Sequence, residues 1–152
     1  IIAHSFGGGV TLYAAMKGLT VPKVINIASP VIGDEIINTY LRAINGSDST
    51  REFFKKHMQK TYGRTFDEFT SSYFIQHLPG PIDVLLIHDE GDKEVVIRHA
   101  EQFISLYPAA KLIKTSGLGH TRILKDDQVI RETVTFIRKG ASGSEGLGDG
   151  KR

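Results

Sequence analysis

The chain opens on Ile1-Ile2-Ala3-His4-Ser5-Phe6-Gly7-Gly8-Gly9, an apolar run that passes in a few residues into three consecutive glycines. Few local structures accept that order. Ile1-Ile2-Ala3 reads as the last residues of a buried strand. Val10, Tyr13, Ala14 and Met16 to Leu19 have helical spacing, with Gly18 placed to end the helix. A strand must therefore turn sharply into a helix at Ser5. Such a turn thrusts the serine out above a sheet, and its neighbours two positions to either side must be small so that strand and helix can approach. Gly7 meets that demand fully and Ala3 with one extra methyl, so the strict G-x-S-x-G pattern fails at its first position. Gly8 and Gly9 give the helix further room.

Beyond the turn, strand and helix patterns alternate. Lys23 to Ala28 reads as a short buried strand closed by Ser29-Pro30. Asp83 to His88 is a second, bounded by Pro79-Gly80-Pro81 before it and Asp89-Glu90-Gly91-Asp92 after it. A helix is expected over 95–107, a strand over 111–115, and an amphipathic helix over 126–139 carrying Val129, Ile130, Val134 and Ile137. Alternation of this kind predicts an α/β fold, a mostly parallel sheet with helices on its faces.

Residues 34–78 break the alternation with three helical patterns and no strand. Asp34 is placed to cap the first, and Ser49-x-x-Glu52 and Thr65-x-x-Glu68 have capping-box spacing, with Gly63 ending the helix between them. Of eight phenylalanines and five tyrosines, seven fall between positions 53 and 74: Phe53, Phe54, Tyr62, Phe66, Phe69, Tyr73 and Phe74. The stretch is expected to form its own small helical layer. After it, residues 1–139 are completed as one domain, and 140–152, rich in glycine and poor in apolar residues, read as a disordered tail.

Composition excludes several functions. The 152 residues carry 19 basic and 17 acidic side chains scattered together, a net charge of +2, so no basic stripe addresses nucleic acid. No apolar run is long enough to cross a membrane. With no cysteine there are no disulfides, thiolate metal sites or cysteine nucleophiles, which fits a reducing, cytoplasmic setting. No His and carboxylate set has metal-ligand spacing, so neither metal nor cofactor is expected.

A serine hydroxyl is a poor nucleophile. Acyl transfer with it needs a base for its proton, an acid to orient that base, and donors for the oxyanion. Asp92 follows the apolar strand Asp83–His88 where a loop leaving the sheet would hold a carboxylate at the mouth of a site. His120 stands in Ser116-Gly117-Leu118-Gly119-His120, on a glycine-bearing loop able to fold back over Ser5. The order along the chain is serine, acid, histidine. Asp89 and Glu90 are rival carboxylates on the same loop. His88, ending a strand, reads as a partner of loop backbone, and His4 as support for the turn. His57, His77 and His99 are expected at solvated or core-edge positions. A dinucleotide site is excluded in detail, because Leu12 stands where the third glycine of Gly7-x-Gly9-x-x would be, and no Gly-Lys-Ser/Thr follows for a P-loop.

The three segments Ala-His-Ser-Phe-Gly-Gly, Ile-His-Asp-Glu-Gly-Asp-Lys-Glu-Val and Gly-Leu-Gly-His resemble the α/β-hydrolase superfamily in type, order and spacing, across residues 1–139. The resemblance is to the C-terminal part of that fold, from the nucleophile elbow onward. It implies Ser5 as nucleophile, Asp92 rather than Asp89 or Glu90 as orienting acid, His120 as general base, and the Phe6 N–H as one oxyanion donor. It also implies that residues 34–78 are a lid or cap, with His4, Phe53, Phe54, Met58 and Phe69 as candidate pocket residues. The implied reaction is hydrolysis of a small-molecule carboxylic ester or related acyl bond, without cofactor. Acyltransferase, peptidase or a non-catalytic binding protein on the same fold remain open. The family's second oxyanion donor comes from an earlier loop that these residues do not include. An incomplete chain, weakly active or inactive alone, is therefore expected, its partner a missing N-terminal half or a second copy.

Overall fold

Four apolar runs pair into one sheet in the computed structural model, which describes residues 1–139. They are β1 (Ile2–His4), β2 (Lys23–Ile27), β3 (Asp83–Asp89) and β4 (Lys111–Thr115), in the spatial order β1-β2-β3-β4 and all parallel. Parallel neighbours need crossovers, and helices supply them: α1 (Phe6–Met16) lies between β1 and β2 and α5 (Arg98–Leu106) between β3 and β4, while α6 (Gly119–Arg122) and α7 (Asp127–Arg138) follow β4. The α/β class expected from the alternation is the one found. The glycine-rich stretch 140–152 lies outside the described residues.

Both faces of the sheet are covered, which explains why β2 and β3 are almost uniformly apolar. Val24, Val84 and Leu86 pack with Leu12 of α1 and Phe103 of α5. Ile25, Ile27, Leu85 and Ile87 point the other way, onto Ile123, Val129 and Phe136. The register sets the site: His4, Ile27 and Ile87 lie level across the first three strands, and Asp89 pairs with Thr115. The turn at Ser5, the loop after β3 and the loop after β4 therefore leave the sheet at one end, the carboxyl end.

Several boundaries differ from the sequence expectation. Ile1 and Ile2 are not buried but 50% and 56% exposed, because β1 is an edge strand with a neighbour on one side only. The stretch 34–78 contains α2 (Gly33–Ala43), α3 (Asp48–Tyr62), a short 3-10 turn (Phe66–Phe69) and α4 (Ser71–Gln76). Ile32, not Asp34, precedes the first helical residue of α2; Asp34 sits inside the first turn, favourable for the helix dipole, and pairs with Lys55 at 2.6 Å. Ser47 rather than Ser49 caps α3, its hydroxyl accepting from the Thr50 N–H. Thr65 and Glu68 do form a capping box, on the 3-10 turn. α4 is not part of a separate layer: Phe74 and Ile75 lie in the main core beside Leu12 and Phe103.

Candidate active site

Ser5 holds φ 52 and ψ −127, a left-handed backbone that costs a non-glycine residue strain and persists only where the surroundings impose it. The surroundings do so on both sides. The Ser5 N–H donates to the Ile27 carbonyl (2.9 Å), extending the sheet by one bond, while its carbonyl accepts from the Gly8 N–H (3.1 Å), starting α1. The steric demand of the turn falls on a different glycine from the one the motif suggested. A Cβ on Gly7 would lie 4.0 Å from that of Ala3, ordinary contact, so alanine is tolerated at position 3. A Cβ on Gly8 would collide with the buried side chains of Asn26 and Ser29, so Gly8 lets α1 press against β2. As the first residue of α1, Phe6 carries an N–H without an intrahelical acceptor, beside the Ser5 side chain.

Residues that are 87 and 115 positions from Ser5 in the chain meet it in space. Ser5 Oγ lies 3.0 Å from His120 Nε2, and His120 Nδ1 lies 2.8 Å from Asp92 Oδ2. The partners fix the tautomer: Nδ1–H donates to the carboxylate, leaving Nε2 to accept from the serine hydroxyl. Asp92 is 4% exposed. Its other oxygen accepts the backbone N–H groups of Glu94 and Val95, each at 2.9 Å. Those bonds hold 94 and 95 in loop conformation, which is why α5 begins at Arg98 rather than at Val95.

Three further side chains support this geometry: Asp89, which the sequence offered only as a rival acid, His88 and His4. Asp89 is fully buried; its Oδ2 accepts from the Thr115 hydroxyl (2.8 Å) and the Leu118 N–H (3.0 Å), its Oδ1 from the Gly91 N–H (2.9 Å). It thereby ties the loop bearing Asp92 to the loop bearing His120. Burial alone would raise its pKa, but the N–H groups of Leu118, Gly119 and Gly91 and the Thr115 hydroxyl hold it below the ordinary carboxylate value. His88 donates from Nε2 to the Val95 carbonyl at 2.7 Å, as expected for a partner of loop backbone, and burial lowers its pKa. His4 donates from Nε2 to the carbonyl of His120 at 2.9 Å, bracing the histidine loop from beneath.

His99 departs from its expected core-edge position. It is 4% exposed, its Nδ1 accepting from the N–H groups of Val31 and Ile32 (2.9 and 3.0 Å) just before α2. Burial pushes its pKa down to about 4, keeping the ring neutral. The signal that could have found it was its place on the buried stripe of α5 with Ala100 and Phe103.

A cavity of about 410 Å³ opens on Ser5 and His120, walled by Phe6, Pro30, Ile36, Tyr40 and His99. Phe53, Phe54, Met58 and Phe69 do not line it, nor does His4, which is turned to the histidine loop. For Phe53, Phe54 and Met58 the reason is α3, which buries no residue and packs outside α2. Phe53 is 71% exposed and stacks on His57. Phe54 lines a second cavity of about 420 Å³ between α2 and α3, and Phe69 a third of about 280 Å³ beside α1. Among the described residues no cluster of acidic residues and histidines could hold a metal ion, and no helix is long and apolar enough to cross a membrane.

In sequence, no family model and no curated protein matches the chain. In structure it is similar to the meta-cleavage product hydrolase of Pseudomonas fluorescens IP01, at TM-score 0.59 and 18% identity, over 91% of this chain and 64% of that one. It is also similar to the esterase domain of a Rhodothermus marinus protein (TM-score 0.57, 18% identity, 90% of this chain and 57% of that one). A third likeness is to the acylaminoacyl peptidase of Pyrococcus horikoshii (TM-score 0.62, 13% identity, 97% and 25%). The chain thus spans less than two thirds of each of these proteins. At such identities the likeness speaks for architecture: four parallel strands, their helices and their order make residues 1–139 a part of the α/β-hydrolase fold.

Proposed function

We propose that the chain carries the catalytic residues of a serine hydrolase acting on carboxylic esters or related acyl bonds. The observation that carries this reading is the hydrogen-bonded line from Ser5 through His120 to buried Asp92, at 3.0 and 2.8 Å. In the proposed reaction Ser5 Oγ attacks the acyl carbon while its proton passes to His120 Nε2. Asp92 stabilises the imidazolium, and the Phe6 N–H donates to the oxyanion. Collapse expels the alcohol, which takes the proton from His120, and leaves an acyl group on Ser5. Water, deprotonated by His120, then attacks the acyl carbon, and as the acid leaves His120 returns the proton to Ser5 Oγ. The strained Ser5 backbone supports this role, since strain of that kind concentrates at functional sites.

The reading includes a partner segment on the open edge of β1. Ile1 O and Ser5 N point to β2, so alternation along the strand turns the backbone groups of Ile2 and His4 outward, beside the site. A segment pairing there, from an N-terminal half or a second copy, would bring a second oxyanion donor. Losing one such donor costs about 10²–10³-fold in turnover, so slow hydrolysis by residues 1–152 alone is expected. Covalent labelling tolerates slow chemistry and is the better test: a fluorophosphonate probe should label the chain and leave Ser5→Ala unlabelled. An unlabelled wild-type chain, with or without a partner segment, would favour a binding protein on the same fold.

A further inference from the structure

Three cavities meet at one side chain. Ile36, on the first turns of α2, lines the cavity at Ser5, the 420 Å³ cavity between α2 and α3, and the 280 Å³ cavity beside α1. Among the described residues it alone is common to all three. The cavity at Ser5 also shares Tyr40 with the α2–α3 cavity, and Phe6 and Pro30 with the one beside α1. A substrate held at Ser5 therefore has two directions in which to extend, and Ile36 stands between them.

Resting on the hydrolase reading above, we propose that Ile36 and the α2–α3 cavity set substrate specificity: the cavity takes the unbranched apolar tail of an ester, and Ile36 is the gate to it. Size and lining choose this branch over the other. The α2–α3 cavity is the larger by about half, a volume typical of ligand pockets. Its walls are apolar side chains, Ile37, Leu41, Phe54 and Phe66 among them, with the Arg51 stem along one side. The smaller branch is edged by Thr70 and Ser71, whose hydroxyls already serve the carbonyls of Asp67 and Pro30. The polar groups at its borders are the Thr50 and Tyr40 hydroxyls and the Arg51 guanidinium, whose Nη2 is held by Asn38 and Asp48 and whose Nε is buried without a partner; every other wall residue is apolar. A tail there gains only by leaving water, about fourfold in binding per methylene buried, the equivalent of about 0.8 kcal/mol.

The test uses the full chain and two probes that react by the same step, Ser5 Oγ displacing fluoride from phosphorus, and leave adducts differing only in the retained alkyl chain, an ethyl and a decyl fluorophosphonate, with the ratio of their labelling rates as the readout. Wild-type chain should react faster with the decyl probe. Ile36→Trp, closing the gate, and Phe54→Trp, filling the cavity behind it, should each lower the decyl-to-ethyl ratio at least tenfold; Val10→Trp, in the smaller branch, should leave the ratio as it was. Circular dichroism establishes folding, and if Ile36→Trp does not fold, Phe54→Trp decides alone. An unchanged ratio in folded, labelled tryptophan variants would overturn the proposal, as would a ratio that collapses only in Val10→Trp. A wild-type chain that neither probe labels would instead sink the hydrolase reading, so the two failures are distinct.

Discussion

The loops after β3 and β4 and the helical pair α2–α3 lie at the same end of the sheet but are held by opposite means. At the base of the loops, His88 and Asp89 at the end of β3 and Asp92 beyond it are each at most 4% exposed, and backbone N–H or carbonyl groups occupy their polar atoms. α3 buries no residue at all, while Tyr40, Ile44 and Phe53 are 72%, 67% and 71% exposed. Buried charges with full sets of donors are costly to disturb and tolerate one geometry. Exposed apolar contacts are weak and permit many. Under the proposed function, the loops would fix the reacting atoms and the helical pair would admit different tails without moving them.

Substitutions can break this contrast, from the largest effect downward. Asp92→Asn keeps the shape of the loop but withdraws the acceptor that fixes the His120 tautomer. Labelling of Ser5 should slow on the order of 10⁴-fold, and a loss under tenfold would mean that His120 is oriented by something else. His99 tests the joint between the regions, because it holds the backbone leading into α2. Its folded pKa of about 4 lies below the unfolded 6.5, so the unfolded chain takes up the proton first. Its contribution is complete above pH 6.5 and is lost as pH falls toward 4, amounting to about 3 kcal/mol. Urea unfolding of wild type should weaken across that range, and His99→Asn should show a flatter dependence; parallel curves would remove His99 as the cause.

Asp89→Asn replaces an acceptor-only group by one with a single acceptor oxygen: set to receive the Leu118 N–H and the Thr115 hydroxyl, it turns its NH₂ onto the Gly91 N–H, and flipped, onto the Leu118 N–H. A displaced histidine loop should slow labelling about 10²-fold, with stability lowered by about 1–3 kcal/mol. Unchanged labelling in a destabilised variant would confine Asp89 to a structural role. At the other extreme, Phe53→Ala on the outer face of α3 should change stability by less than about 0.5 kcal/mol, as measured by the same urea titration. A loss of several kcal/mol there would show that the helical pair is packed as tightly as the loops.

How legible each region was follows from the same contrast. The turn at Ser5 and the apolar runs of β2 and β3 could be read directly, because strand and helix periods are local properties of the chain. Residues 5, 92 and 120 could be selected by type and order, yet their meeting depends on register: only level pairing of His4, Ile27 and Ile87 brings the three loops together. Asp89 looked like a rival to Asp92, three residues away on one loop. What separates them is direction, since Asp89 completes β3 and turns back toward Thr115, whereas Asp92 faces His120. The aromatics of α3 were misread as lining the site because composition says which residues are apolar and not which side of α2 they pack on. The cap of α3 was missed by two positions because Ser47 and Ser49 offer equally good hydroxyl acceptors, and only the chain path out of Asn45-Gly46 selects the first.

The unity of Ser5, His120 and Asp92 is tested most directly by peptide mapping of fluorophosphonate-treated protein, with labelling rates taken in parallel on His120→Ala. A single adduct on Ser5, formed on the order of 10⁴-fold more slowly in His120→Ala, is the expected result. An adduct on another serine, or a His120→Ala chain labelled as fast as wild type, would contradict it.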